Sequence, residues 1–386
     1  MPAFDPEAPL PGAPDPWAGS EMPARRPGPP YAMTEMIAAE PALAERLVGR
    51  MQGDPALGQL AVLLRGAATQ YRPIVTTGCG TSEHAAMVAA ALLTDALDAT
   101  TVWPMQALEV ARRPPRHGVL VAVSHEGGTW ATNGALAAAR AAESTTALIT
   151  VSDRSPGAAL ADLVLTTGEQ DQSWCHTVGY LSPLVVAASV ASELRGEPLD
   201  AVAVRAVLEA AGHQPAADAV AGALATCTRV LIVGSGIDYP AARELALKIE
   251  EGARLPATAL QLETLRHGHL AAADERTGLV LILTDGEGWG ETVRERARAV
   301  LRSAAALGAP AAAILGADIG DEVPAALTTA GRLIVPLAGS LPRIVGAAIG
   351  TAIPLQLLAE RLARARGTNP DGIGREDPRQ AAAADA

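Results

Sequence analysis

Ile74-Val75-Thr76-Thr77-Gly78-Cys79-Gly80-Thr81-Ser82-Glu83-His84-Ala85-Ala86 is a short β-branched run, a small glycine turn and the start of an Ala-rich stretch with helical periodicity. A strand that turns straight into a helix opens a βα unit. The succession returns as Arg229-Val230-Leu231-Ile232-Val233-Gly234-Ser235-Gly236-Ile237-Asp238, followed by a helical stretch over Tyr239–Gly252. The architecture therefore restarts within one chain. Outward from the first turn, strands are predicted at Val119–Val123, Ala147–Val151 and Leu163–Thr166, with helices at Glu83–Asp95 and Trp130–Ala142. Outward from the second, strands are predicted at Leu279–Thr284, Ala311–Leu315 and Leu333–Val335, with a helix at Glu291–Leu307. This alternation predicts an α/β protein with two mostly parallel sheets, each between helical layers. The break at Gly212–Pro215 divides it. The expected segments are a flexible Pro-rich tail over residues 1–30, domains over 31–213 and 214–366, and a C-terminal tail over 367–386.

Composition agrees with two domains in 386 residues. The chain is 49% hydrophobic with a single Phe, so its cores must rest on Ala, Val, Leu and Ile. A formal net charge of -12 argues against nucleic acid and anionic membrane as partners and favours a small molecule. Cys79, Cys175 and Cys227 are odd in number and form no C-x-x-C pair, which disfavours a disulfide framework or structural zinc and suits a reducing cytoplasm. The first 30 residues lack the pattern of a signal peptide, and the Ala-rich runs are broken by charges before reaching membrane length. No cofactor or metal is expected. Neither G-x-G turn has the third glycine of a dinucleotide site, and His267-Gly268-His269 has no carboxylate or cysteine cluster to complete a metal site.

A second loop, Ser124-His125-Glu126-Gly127-Gly128-Thr129, also follows a strand and precedes a helix, so its N–H groups and hydroxyls converge on an anion or polyol. With Gly78-Cys79-Gly80-Thr81-Ser82 it resembles the two ligand loops of SIS (sugar isomerase) domains, usually G-x-G-T-S and S-x-S-G-x-T. Glu244-Leu-Ala-Leu-Lys248-Ile-Glu-Glu251 and Leu265-Arg266-His267-Gly268-His269-Leu270 are similar to paired motifs in the isomerase half of glucosamine-6-phosphate synthase. Glu169-Gln-Asp-Gln-Ser173-Trp-Cys-His-Thr177 resembles a segment of galactosamine-6-phosphate deaminase/isomerases. The resemblance spans about Tyr31 to Asp371 and implies two tandem SIS domains without a glutaminase domain, so the chain is expected to isomerise, deaminate or bind.

Glu244, Lys248 and Glu251, at i, i+4 and i+7, share one helix face, where a carboxylate can shuttle a proton between sugar C1 and C2 while the lysine tunes it. Such a face also suits a solvated ion-pair stripe. The resemblance implies Glu251 as base and His267 as the ring-opening group, the latter reaching a neighbouring subunit's site in a homodimer. Thr81, Ser82, Ser124, His125, Glu126, Gly127 and Thr129 would hold the ligand, and Ser173 and Thr177 would approach it as their loop closes. The same glycines and hydroxyls also serve plain tight turns and helix caps.

Two departures matter. Relatives that bind sugar phosphates have serine where Glu126 stands. A carboxylate about 5 Å from a phosphate dianion costs roughly 6–7 kcal/mol at an effective dielectric near 20, before screening. The C-terminal segment Gly367–Arg379 carries Arg375 where the synthase tail has an imine-forming lysine. The readings that follow are an aldose–ketose isomerase or amino-sugar deaminase/aminotransferase-like enzyme, an Amadori (fructosamine) deglycase whose Glu126 holds a cationic substrate, and a non-catalytic sugar-sensing protein.

Overall fold

In the computed structural model of the chain, residues 4–13, 26–98, 100–284, 286, 288 and 290–385 are described. They form two compact units, each gathered from separated segments. The first comprises residues 4–13, Ala39–Asp171 and Val178–Arg205; the second comprises residues 26–38, Gln172–Thr177 and residues 206–385.

The first unit holds an all-parallel sheet of β1 (Ile74–Gly78), β2 (Trp103–Gln106), β3 (Val119–Val123), β4 (Thr145–Thr150) and β5 (Leu163–Thr166), in the order β2-β1-β3-β4-β5. The second holds β6 (Arg229–Val233), β7 (Ala257–Leu260), β8 (Thr277–Leu283), β9 (Ala311–Gly316) and β10 (Gly331–Val335), in the order β10-β9-β8-β6-β7. Numbered within its own unit, each sheet runs 2-1-3-4-5, so the repeat seen in sequence is also a repeat of topology. Helices cover both sheets, giving two three-layer α/β sandwiches.

Strands β1, β3 and β8 are buried at every residue, which is why they read as unbroken apolar or β-branched runs. The edge strands β2 and β7 escape the sequence reading. Their residues, Trp-Pro-Met-Gln and Ala-Thr-Ala-Leu, are all at least partly exposed except Leu260 and need no continuous apolar run. In the first unit Val75, Leu120, Ala122 and Leu148 pack against Val110, Ala135, Leu136 and Ala139. In the second, Leu231, Leu279, Leu281 and Leu315 pack against Ala297, Val300, Leu301 and Ala304.

Three expectations change. Residues 4–13 are not a free tail: Leu10 is buried, its N–H donates to Glu169 Oε2 at 2.8 Å, and Pro11 O accepts from Gln170 N–H at 2.8 Å. Residues 1–3 and 14–25 of the expected tail lie outside the described residues. Arg343–Ala365 is long and apolar enough to cross a membrane by composition alone, yet 89% of its apolar window is buried inside the fold. Finally, the helix expected over Tyr239–Gly252 is an α-helix only over Asp238–Lys248 and continues as a π turn, Ile249–Ala253.

Candidate active site

The glycine turn after β6 launches the helix that carries the acidic motif. A Cβ on Gly234 would lie 2.5 Å from Asp238 O, just as one on Gly78 would lie 2.5 Å from Ser82 O, so both turns require glycine for the strand end to meet the helix's first turn. Asp238 then fastens that turn to the end of β8, its Oδ2 accepting from Thr284 N–H at 3.0 Å. Each pair of turns after the first and third strands flanks the point where strand order reverses, the place where open parallel sheets bind ligands.

Lys248 is the only lysine in the chain, and it is fully buried. Its Nζ lies 2.6 Å from Glu251 Oε2 and 3.5 Å from the fully buried Glu244 Oε1. Burial works against the Lys248 charge, but the Glu251 and Glu244 carboxylates outweigh it and the ammonium holds its proton more tightly than a free lysine. Burial also pushes the Glu251 carboxyl above the usual carboxylate range, with Lys248 opposing. The face is therefore an enclosed ion triad and not the alternative solvated stripe, and two carboxyls of different surroundings share one cation.

The loop Gln172–Thr177 surrounds this triad with groups the sequence reading did not assign to it. The buried Cys175 thiol bonds the Glu251 carboxylate and is pushed well up by burial, so it stays protonated. His176 is pulled down to about 4 by burial and by the Lys248 cation, and is neutral at neutral pH. Arg375 lies over the Trp174 ring, 4.1 Å from its centroid. Ser173 and Thr177 are buried in the same loop, and Thr177 O accepts from Gln356 Nε2 at 3.3 Å. The uniqueness of Lys248 was the available signal for this cluster. His267 is 78% exposed, with Nε2 3.5 Å from Glu263 Oε2, and stands at the surface of the unit.

The other candidate ligand residues lie in the first unit. Thr81 begins the helix Thr81–Ala96 after Gly80, with Ser82 half-buried beside it. Ser124 Oγ donates to Thr129 Oγ1 at 3.4 Å, and Thr129 stands exposed at the start of the helix Trp130–Ala141. Gly127 has φ +66°, and a Cβ there would lie 2.1 Å from Ser155 Oγ, so this loop also depends on glycine. His125 turns inward: it is 7% exposed and its Nε2 accepts from Asp171 N–H at 3.0 Å, which braces the loop. Glu126 is half-buried and, among the described residues, makes no hydrogen bond or ion pair. No group of three or more His, Cys, Asp or Glu among the described residues could hold a metal ion. Among the cysteines, Cys227 is buried, while Cys79 is half-buried and accepts from Thr132 Oγ1 at 3.8 Å.

Both units repeat the strand order 2-1-3-4-5, with a loop after the first and third strands at each switch point. Residues 223–317 match the family model described as SIS domain. The chain is similar to the isomerizing glutamine–fructose-6-phosphate aminotransferase of Gloeobacter violaceus, 28% identical over 323 residues that make up 77% of this chain and 50% of that protein. Its counterpart from Neisseria meningitidis serogroup B is 32% identical over 167 residues, 43% of this chain and 25% of that protein. The chain thus spans about half the length, or less, of the curated relatives it matches. In fold it is similar to the C-terminal domain of glucosamine-fructose-6-phosphate aminotransferase from Francisella tularensis, with TM-score 0.74 and 21% identity over 90% of this chain and 99% of that one. The tagatose-6-phosphate ketose/aldose isomerase of Escherichia coli gives TM-score 0.68 and 19% identity, covering 89% and 95%.

Proposed function

We propose that this chain is a sugar-isomerase-type enzyme that moves a proton between C1 and C2 of a sugar or amino sugar, as an aldose–ketose isomerase or deaminase/aminotransferase-like enzyme. The observation that carries this reading is the buried Glu244–Lys248–Glu251 triad. Glu251, its pKa raised by burial, takes the proton from one carbon to give an enediol or enolamine and returns it to the next. Lys248 supplies positive charge beside the base. Since it is the only lysine and holds its proton tightly, it serves as an electrostatic group rather than as an imine-forming amine. His267, exposed on its own unit, would open the ring of a sugar bound to a second copy in a cytoplasmic homodimer. The test is deuterium uptake from D2O at C1 of fructose 6-phosphate, followed by NMR. Glu251→Gln should fold normally and slow uptake at least about a hundredfold, because an amide keeps the shape but accepts no proton. Uptake at the native rate would move the base elsewhere.

A second reading, the Amadori deglycase, is favoured by the unpaired Glu126 carboxylate in the first unit's loop. There it would repel a phosphate dianion and welcome the ammonium or hydroxyls of a fructosamine. On this reading the native protein takes fructosyl-lysine over fructose 6-phosphate. Glu126→Ser should raise affinity for the phosphosugar by a hundredfold or more, about 3 kcal/mol after screening. Micromolar binding of fructose 6-phosphate by native protein, unchanged in the serine variant, would set the deglycase aside.

A further inference from the structure

The π turn that carries Glu251 ends in open carbonyls, as every helix does. Three successive ones are each taken by a side chain. Arg254 Nε donates to Glu251 O at 3.1 Å, Thr368 Oγ1 to Gly252 O at 2.7 Å, and Arg366 Nε to Ala253 O at 2.9 Å. Arg254 itself has φ +52° and reaches the C-terminal segment, its Nη2 donating to Glu376 Oε1 at 2.8 Å. A Cβ on Gly252 would meet Pro370 Cβ at 3.4 Å and Cys175 Sγ at 3.8 Å, so the segment and the thiol that bonds Glu251 both lie against the turn. The segment is anchored in turn. Asp371 accepts from the N–H groups of Ala32 and Met33 at 2.8 and 3.1 Å, and Arg375 stacks on Trp174.

We propose that Arg254, Arg366 and Thr368 are positioning residues that clamp the π turn and thereby hold the Glu251 carboxylate against Lys248. Their catalytic importance rests on the reading of Glu251 as base. A π turn pairs i with i+5 and occurs mostly as a single turn inserted in an α-helix, so outside donors on its last carbonyls help to hold it. Without them the turn can relax toward α-helix, rotating Glu251 away from the Lys248 ammonium. The C-terminal segment, which has no lysine, acts here through the backbone of the turn.

Because the chain has one lysine, protein labelled with 15N at lysine Nζ gives a single side-chain ammonium resonance, which reports on the Lys248–Glu251 contact without any ligand. Glu251→Gln marks the position of that resonance when the contact loses its charge. Thr368→Val keeps the shape and removes the donor. It should move the resonance toward the Glu251→Gln position and lower kcat for deuterium uptake into fructose 6-phosphate tenfold or more, with KM within about twofold. Thr368→Ser, which keeps the hydroxyl, should restore both. A Thr368→Val resonance superimposed on the native one would overturn the clamp even if the melting temperature falls. Arg254→Met, which keeps the length of the side chain and removes the donor to Glu251 O, decides the question in the same way should Thr368→Val fail to fold. Native uptake by Glu251→Gln would defeat the base assignment, while the ammonium signal would still judge the clamp.

Discussion

A fully buried ammonium persists only if its partners offset the loss of water, and Lys248 has two carboxylates at 2.6 and 3.5 Å to do so. The same cation shapes its neighbours. His176 faces burial, the Lys248 charge and an opposing attraction from Glu244, and burial dominates, so its pKa falls from 6.5 to about 4. The folded protein therefore holds His176 neutral while the unfolded chain protonates it below pH 6.5. The stabilisation due to this difference is present above pH 6.5 and is lost as pH falls toward 4, on the order of 3 kcal/mol. Urea unfolding from pH 7 to pH 4 should show this as a steeper acid loss in native protein than in His176→Asn. Parallel curves would mean that His176 carries no such penalty.

The elements that set the site are two tight junctions, one at each end of the same helix. At its start, Gly234 lets β6 meet Asp238 at a distance no side chain allows. Gly234→Ala should lower stability by about 1–3 kcal/mol in urea titrations through this overpacking, and should disturb the helix bearing Glu244 and Lys248. Gly222→Ala, where a Cβ meets nothing within 4 Å inside the helix Ala217–Ala225, is the control and should be neutral or stabilising by about 0.5–1 kcal/mol. Equal effects of the two substitutions would remove the steric argument. At the helix's other end, the π turn replaces the regular α-helix that periodicity predicts. The spacing 244, 248, 251 was enough to place three side chains on one face, but the donors that bend the backbone there include Thr368, 116 residues away from Gly252.

At the scale of the whole molecule, each unit repeats one topology, and the surface exposure of His267 leaves its proposed role to a second copy of the chain. Sedimentation equilibrium should then give twice the 39.3 kDa of one chain, and a fully active monomer would refute that role. By its residues alone the sequence determined the class of fold, because central parallel strands are buried on both faces and read as apolar runs, and the first strand of each unit leads through a glycine turn into a helix. It also determined the triad, because helical spacing is a local property. Tertiary structure decided the rest. It set the edge strands β2 and β7, whose partial exposure erases their pattern. It joined Gln172–Thr177 to the second unit, although the residues on either side of that loop belong to the first. It enclosed the triad, turned His125 inward, and brought Trp174 to Arg375 and the π turn to Thr368. Contacts between residues so far apart along the chain follow from how elements pack, and no local pattern of residue types encodes them.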